Sequence, residues 1–169
     1  MMTRRHSQYR SRHAAIFGAL LLMTAACADG DGFTPVEPLA PAVAAVLDSL
    51  LTDEWRAGAR YQQVMQRFGT VSPFREMEPV QESRAASLLQ IYRSYPAFPP
   101  SRPTGAVQGI EIYASLEGAC EVALEAETAT VQRYARALAL NPPEMVQRIL
   151  RFNRANTLAF EVVAAARCR

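Results

Sequence analysis

The chain has 169 residues with a formal net charge of +2, and 50% of them are hydrophobic. All 18 basic residues are arginines, so every cation is a guanidinium that keeps its charge near neutral pH. Both histidines, His6 and His13, lie near the N-terminus, which excludes Ser–His and Cys–His nucleophile arrangements from the rest of the chain.

Residues 1–13 carry Arg4, Arg5, Arg10 and Arg12 and no acid, and residues 14–26 (AAIFGALLLMTAA) are apolar throughout. The apolar run is shorter than the roughly 20 residues a bilayer span needs. The pattern therefore predicts a signal peptide over 1–26. Cys27 follows directly, and small residues before a cysteine at this place resemble the lipobox of bacterial lipoproteins. That resemblance implies a lipid anchor on Cys27, although Thr24 stands where leucine is usual. Cleavage after Ala28, on the small-x-small pattern Ala26-Cys27-Ala28, is the rival reading. Ala28 follows the cysteine where an aspartate would retain it, and by resemblance to enteric-type sorting this implies the outer membrane, facing the periplasm. Secretion or a soluble periplasmic protein is the alternative.

Without the leader, 16 acids face 14 arginines and no histidine remains. This slightly acidic remainder shows no basic patch in the sequence. It predicts no nucleic-acid partner and no membrane contact beyond the N-terminal lipid. Cys120 and Cys168 are then an even pair in an oxidising compartment, and they predict a disulfide.

Residues 27–37 lack periodicity and predict a tether; 38–169 predict one domain, long enough for a real core. In the first helix Val43, Leu47, Leu50, Glu54, Gly58, Tyr61, Met65 and Phe68 recur every three or four residues, ending at Gly69. Ser72-Pro73 predicts a capped restart, with the stripe Phe74, Met77, Gln81, Arg84, Leu88, Ile91, Tyr95. Pro79 inside it predicts a short opening turn before the helix proper. PAFPPSRPTGAVQG, from Pro96 on, predicts an extended connector; ten such residues cover roughly 30 Å, the length of a 20-residue helix. The third helix shows Ile112, Leu116, Cys120, Ala123, Glu127, Val131, Tyr134 and Leu138. Asn141-Pro142-Pro143-Glu144 predicts a break with Asn141 as cap. The fourth shows Val146, Ile149, Asn153, Asn156, Phe160 and Val163. No stretch alternates with period two, so the expectation is an all-α four-helix bundle of two antiparallel hairpins joined by a Pro-rich crossover.

Each stripe carries polar residues near its middle: Glu54; Gln81 and Arg84; Glu127; Asn153 and Asn156. Counting helical rise from the turns puts Glu127 opposite Asn156 and Glu54 opposite Arg84. EWRAGARY (54–61) and ETATVQRY (127–134) repeat the pattern Glu-x6-Tyr. On these residues the chain resembles ferritin-like di-iron bundles, which set a Glu on helices one and three and a Glu-x-x-His on helices two and four. More narrowly, DEWRAGARYQQVMQRFGTVSPF (53–74), ACEVALEAETATVQRY (119–134) and NTLAF (156–160) resemble the bacterial ferritin-like group known as domain of unknown function 2202. The resemblance carries its two lone glutamates onto Glu54 and Glu127. Its two Glu-x-x-His motifs fall on Gln81-x-x-Arg84 and Asn153-x-x-Asn156, which hold neither the Glu nor the His.

The departure predicts that Arg84 pairs with Glu54, Glu127 or both in place of metal, and that Gln81, Asn153 and Asn156 offer amides. No catalytic residue and no cofactor are expected; the protein would bind or build within the envelope, with a homodimer or another envelope protein as partner. The alternative is an iron- or manganese-binding oxidoreductase using rearranged carboxylates such as Glu82, Glu125 and Glu127. Tyr61 and Tyr134 are expected as core aromatics with solvated hydroxyls. Trp55 is expected to pack at the flank.

Overall fold

The structure, a computed structural model, describes residues 36–104 and 113–168. The leader, Cys27, most of the tether and Ile112 lie outside the described residues. Helices account for all the regular structure among them: α1 (Pro41–Phe68), α2 (Phe74–Ser94), α3 (Leu116–Ala139), α4 (Glu144–Asn156), a π-helical turn (Thr157–Glu161) and α5 (Val162–Arg167). The last three run on as one fourth helix, because Asn156, Thr157, Glu161 and Val162 all keep right-handed helical dihedrals. In the π turn the N–H of Val162 donates to the carbonyl of Thr157, five residues back.

Local chemistry sets the helix ends. Gly69 takes φ 87° after α1, a conformation that costs glycine nothing sterically. The Ser115 hydroxyl accepts from the Gly118 N–H and caps α3. Two expected caps are absent. Ser72 makes no cap bond, and α2 starts at Phe74 and continues through Pro79, giving up one backbone bond instead of splitting. Asn141 is no cap for α4 either. It takes φ 50° just past the end of α3, a left-handed geometry that asparagine tolerates better than most residues. Gln147 Nε2 then reaches back to Asn141 Oδ1 at 3.2 Å and to the Pro142 carbonyl at 2.8 Å.

Contacts between side chains fix the helix directions. Tyr92 bonds Asp48, Arg84 bonds Glu54 and Gln62 bonds Glu78, so α1 and α2 are antiparallel. Tyr134 meets Glu54 and Tyr61 meets Glu127, so α3 is also antiparallel to α1. It follows that α2 and α3 are parallel and that the connector must return the length of the bundle. Its described part does run back: Arg102 pairs with Glu82, and its guanidinium lies 5.8 Å from the centre of the Trp55 ring.

Two apolar clusters fill the interior. Leu47, Leu50, Leu51, Leu88, Ile91 and Leu150 dominate one. Tyr61, Phe74, Met77, Tyr113, Cys120 and Ala165 belong to the other, at the opposite end. Cys120 and Cys168 join there as a disulfide, with Cα atoms 5.7 Å apart. The polar residues of the stripes lie between the clusters.

Candidate functional site

Side chains from all the long helices meet in one buried network. Glu54 (α1), Gln81 and Arg84 (α2), Glu127 (α3) and Asn153 (α4) are each at most 2% exposed, and Glu161, at the end of the π turn, is fully buried. Arg84 is the hub. Its Nε donates to Glu54 Oε2 at 2.8 Å, its Nη1 donates to Glu161 Oε2, and its Nη2 donates to Gln81 Oε1 at 2.6 Å. Nη2 also stands 3.6 Å from Glu127 Oε2. The Gln81 amide spends both hydrogens on carboxylates, 2.9 Å to Glu127 Oε1 and 2.8 Å to Glu161 Oε1.

The twofold Glu-x6-Tyr pattern becomes a reciprocal pair. Tyr134 donates to Glu54 Oε1 at 2.6 Å, and Tyr61 donates to Glu127 Oε1. Seven residues are two helical turns less about 20°, so Glu and Tyr share a face. Because α1 and α3 are antiparallel, the Tyr of each is level with the Glu of the other. The tyrosine hydroxyls are therefore not solvated, contrary to expectation: both residues are fully buried and serve as fixed donors to acids. Asn153 extends the chain of bonds, donating from Nδ2 to Tyr134 Oη at 3.2 Å and to Ser87 Oγ at 2.9 Å.

Asn156 does not join the network. It is half-buried, its Oδ1 has no hydrogen-bond partner, and it lines a cavity of about 270 Å³ with Val80, Ser83, Ser87 and Phe152, beside Arg84. Glu161 occupies the place expected for Asn156. A one-residue shift within the fourth helix contributes to this. From Tyr134 back to Cys120 is 14 residues, whereas from Asn153 on to Cys168 is 15; the π turn absorbs the extra one. The buried positions of this helix are accordingly Val146, Leu150, Asn153, Thr157, Glu161 and Ala165, and Phe160 and Val163 point outward. A run of buried positions four apart drifts off one face of a 3.6-residue helix but stays on it through a π turn. That spacing, Asn153-x3-Thr157-x3-Glu161-x3-Ala165, is the signal in the sequence that identifies Glu161.

The charge balance is lopsided. Three carboxylates surround one guanidinium in a closed interior, where an uncompensated charge is expensive. Five of the six carboxylate oxygens accept a hydrogen bond, and only Glu127 Oε2 accepts none. Burial pushes Glu54 up to about 7 against the opposing pull of Arg84. Burial, reinforced by the neighbouring Glu127, pushes Glu161 up to about 9. Burial alone would ease the proton off Arg84, but Glu54, Glu161 and Glu127 together hold it firmly in place. Burial and the adjacent glutamates likewise drive the Tyr61 and Tyr134 hydroxyls well above their ordinary range. The network therefore balances its charge with one guanidinium and with retained protons, shared across groups that titrate together. Known protein families, characterised proteins and solved structures offer no match to this chain.

This donor set does not fit a pair of metal ions. The Arg84 guanidinium stands where the carboxylates converge and holds Glu54 and Glu161 by direct bonds. Gln81 turns its N–H groups, not its oxygen, toward Glu127 and Glu161. The rearranged carboxylate set fails geometrically as well. Glu82 pairs with Arg102 at the surface and Glu125 is exposed, so neither meets Glu127. Glu121 is exposed too. Among the described residues no group of three or more His, Cys, Asp or Glu side chains is arranged to hold a metal ion.

Proposed function

We propose that this chain is a ferritin-like bundle of the domain of unknown function 2202 type, anchored in the cell envelope through Cys27. In this reading an arginine–carboxylate network has replaced a two-metal centre, and the protein serves a binding or structural role instead of a catalytic one. The observation that carries the reading is the seat of Arg84. It bonds Glu54 and Glu161 and stands 3.6 Å from Glu127, so a permanent cation fills the position that the resemblance assigns to metal. The repeated Glu-x6-Tyr, one copy per hairpin and reciprocally bonded, supports descent from a two-hairpin bundle. The return of the connector along the bundle also agrees with the ferritin-like plan.

Anaerobic titration of the purified protein with Fe(II) and with Mn(II) tests this. The expected result is no stoichiometric binding. Tight binding that disappears in Glu54→Ala would overturn it in favour of a metal-dependent oxidoreductase. The anchor is tested separately by metabolic labelling with palmitate. Label should enter the wild-type protein and be absent from Cys27→Ser.

A further inference from the structure

The outward face of the fourth helix has an unusual make-up. From Arg148 to Arg167 every exposed residue is either an arginine or apolar; no exposed acid and no exposed uncharged polar residue interrupts the series. Phe152 is 68% exposed, Leu158 49%, Phe160 48% and Val163 37%, with alanines between them. Arg148, Arg151 and Arg154 lie at one end of this apolar band and Arg167 at the other. Among the described residues none of the four pairs with a carboxylate; the acids that form ion pairs are engaged with Arg75, Arg84, Arg102 and Arg133. Charge counted along the chain shows no basic patch, because the exposed acids Glu117, Glu121 and Glu125 sit on α3 and cancel these arginines in the sum. The two sets lie on different helices.

The geometry points to an anionic lipid surface as the occupant of this face. Self-pairing through it is disfavoured: parallel pairing sets Arg148, Arg151 and Arg154 against themselves, and antiparallel pairing sets them against Arg167. A purely ionic partner would use the arginines and leave Phe152, Leu158 and Phe160 in water. A membrane interface takes both parts, with apolar side chains at the acyl boundary and guanidinium groups among phosphates. The π turn contributes to the face as well, because shifting the register by one residue moves Phe160 and Val163 out of the core and Glu161 into it. The inference goes beyond the proposed anchor and does not require it: a lipid on Cys27 would tether the chain, whereas this face would orient the bundle on the surface.

The test uses the full chain with Cys27→Ser and Phe160→Trp, so that acylation is removed and a fluorescent reporter sits in the band. Trp55 is 7% exposed and serves as the internal constant. With vesicles containing phosphatidylglycerol, emission from the introduced indole should shift to the blue and be quenched by brominated lipid; with phosphatidylcholine alone it should change little. Arg151→Gln with Arg154→Gln should weaken partitioning about 25-fold, near 5-fold per arginine, and added salt should weaken it further. Reporter emission that ignores phosphatidylglycerol vesicles would overturn the inference. So would a blue shift that needs no lipid and grows with protein concentration, since a second copy would then cover the face. Either failure leaves the palmitate result on Cys27 unaffected, so the two ideas fall separately.

Discussion

The layer of Leu47, Leu50, Leu51, Leu88, Ile91 and Leu150 and the layer of Glu54, Gln81, Arg84, Glu127 and Glu161 are neighbours, one helical turn apart along α1 and α2, and both are shut off from water. The leucine layer is held by volume. Any side chain of similar size and apolarity serves, and the loss on truncation follows the space left behind. The polar layer is held by completeness. Each donor there has a named acceptor, and removing one member strands the others in a medium that cannot solvate them. Burial alone is thus a poor guide to what a position tolerates; the partner set decides.

Removing the hub should separate the layers most sharply. Arg84→Met keeps much of the volume but leaves the ionised acids of the core without a cation, and should cost about 3–5 kcal/mol in urea unfolding at pH 7. The cost should shrink toward pH 5, where Glu54 and Glu161 hold protons. In the other layer, Leu50→Ala should cost about 3 kcal/mol, within the range for buried leucines, and by the same amount at both pH values. A pH-dependent cost for Leu50→Ala would mean that the layers are not independent.

Next in size is the response to alkali. Glu54 and Glu161 have folded-state values near 7 and near 9, above the ordinary carboxylate value of 4.5. The folded state therefore binds protons that the unfolded chain has released. Stability from this source is fully present below about pH 4.5 and is lost as pH rises through 7 and then 9. The melting temperature should fall steadily between these limits, the opposite of acid denaturation. Glu161→Gln removes one of the titrating acids and should flatten the fall, so that the variant gains on wild type as pH rises from 5 to 9. Smallest of all, Tyr134→Phe deletes one donor to Glu54 while Arg84 still bonds that carboxylate; a loss of about 1 kcal/mol is expected from equilibrium unfolding.

Helical periodicity makes part of this architecture legible. Glu54, Gln81, Arg84, Glu127 and Asn153 sit within α-helices, where a 3.6-residue repeat fixes which face a residue occupies, and those five lie in the core. Glu161 is hidden for a local reason, the π turn, which breaks the period that the stripe depends on. Counting rise from the Asn141 turn also misplaces the level by about one turn: the count sets Cys120 opposite Val163, whereas Cys120 and Cys168 have Cα atoms 5.7 Å apart. The tyrosine roles need the antiparallel pairing of α1 and α3, which no single helix reveals. The arginine-lined face needs the third dimension, since the acids that offset its arginines in the total charge lie on another helix.

The central claim is that one guanidinium and retained protons together balance three buried carboxylates. Carbon-13 NMR of side-chain-carboxyl-labelled glutamate, followed from pH 4 to pH 10, measures this directly. The account predicts two carboxyl resonances that stay protonated through the range where exposed glutamates ionise, one titrating near 7 and the other near 9, assigned by their loss in Glu54→Gln and Glu161→Gln. If every glutamate were ionised by about pH 5.5, a full unit above the ordinary value, the account would be contradicted, and some other positive charge would have to stand in the core beside Arg84.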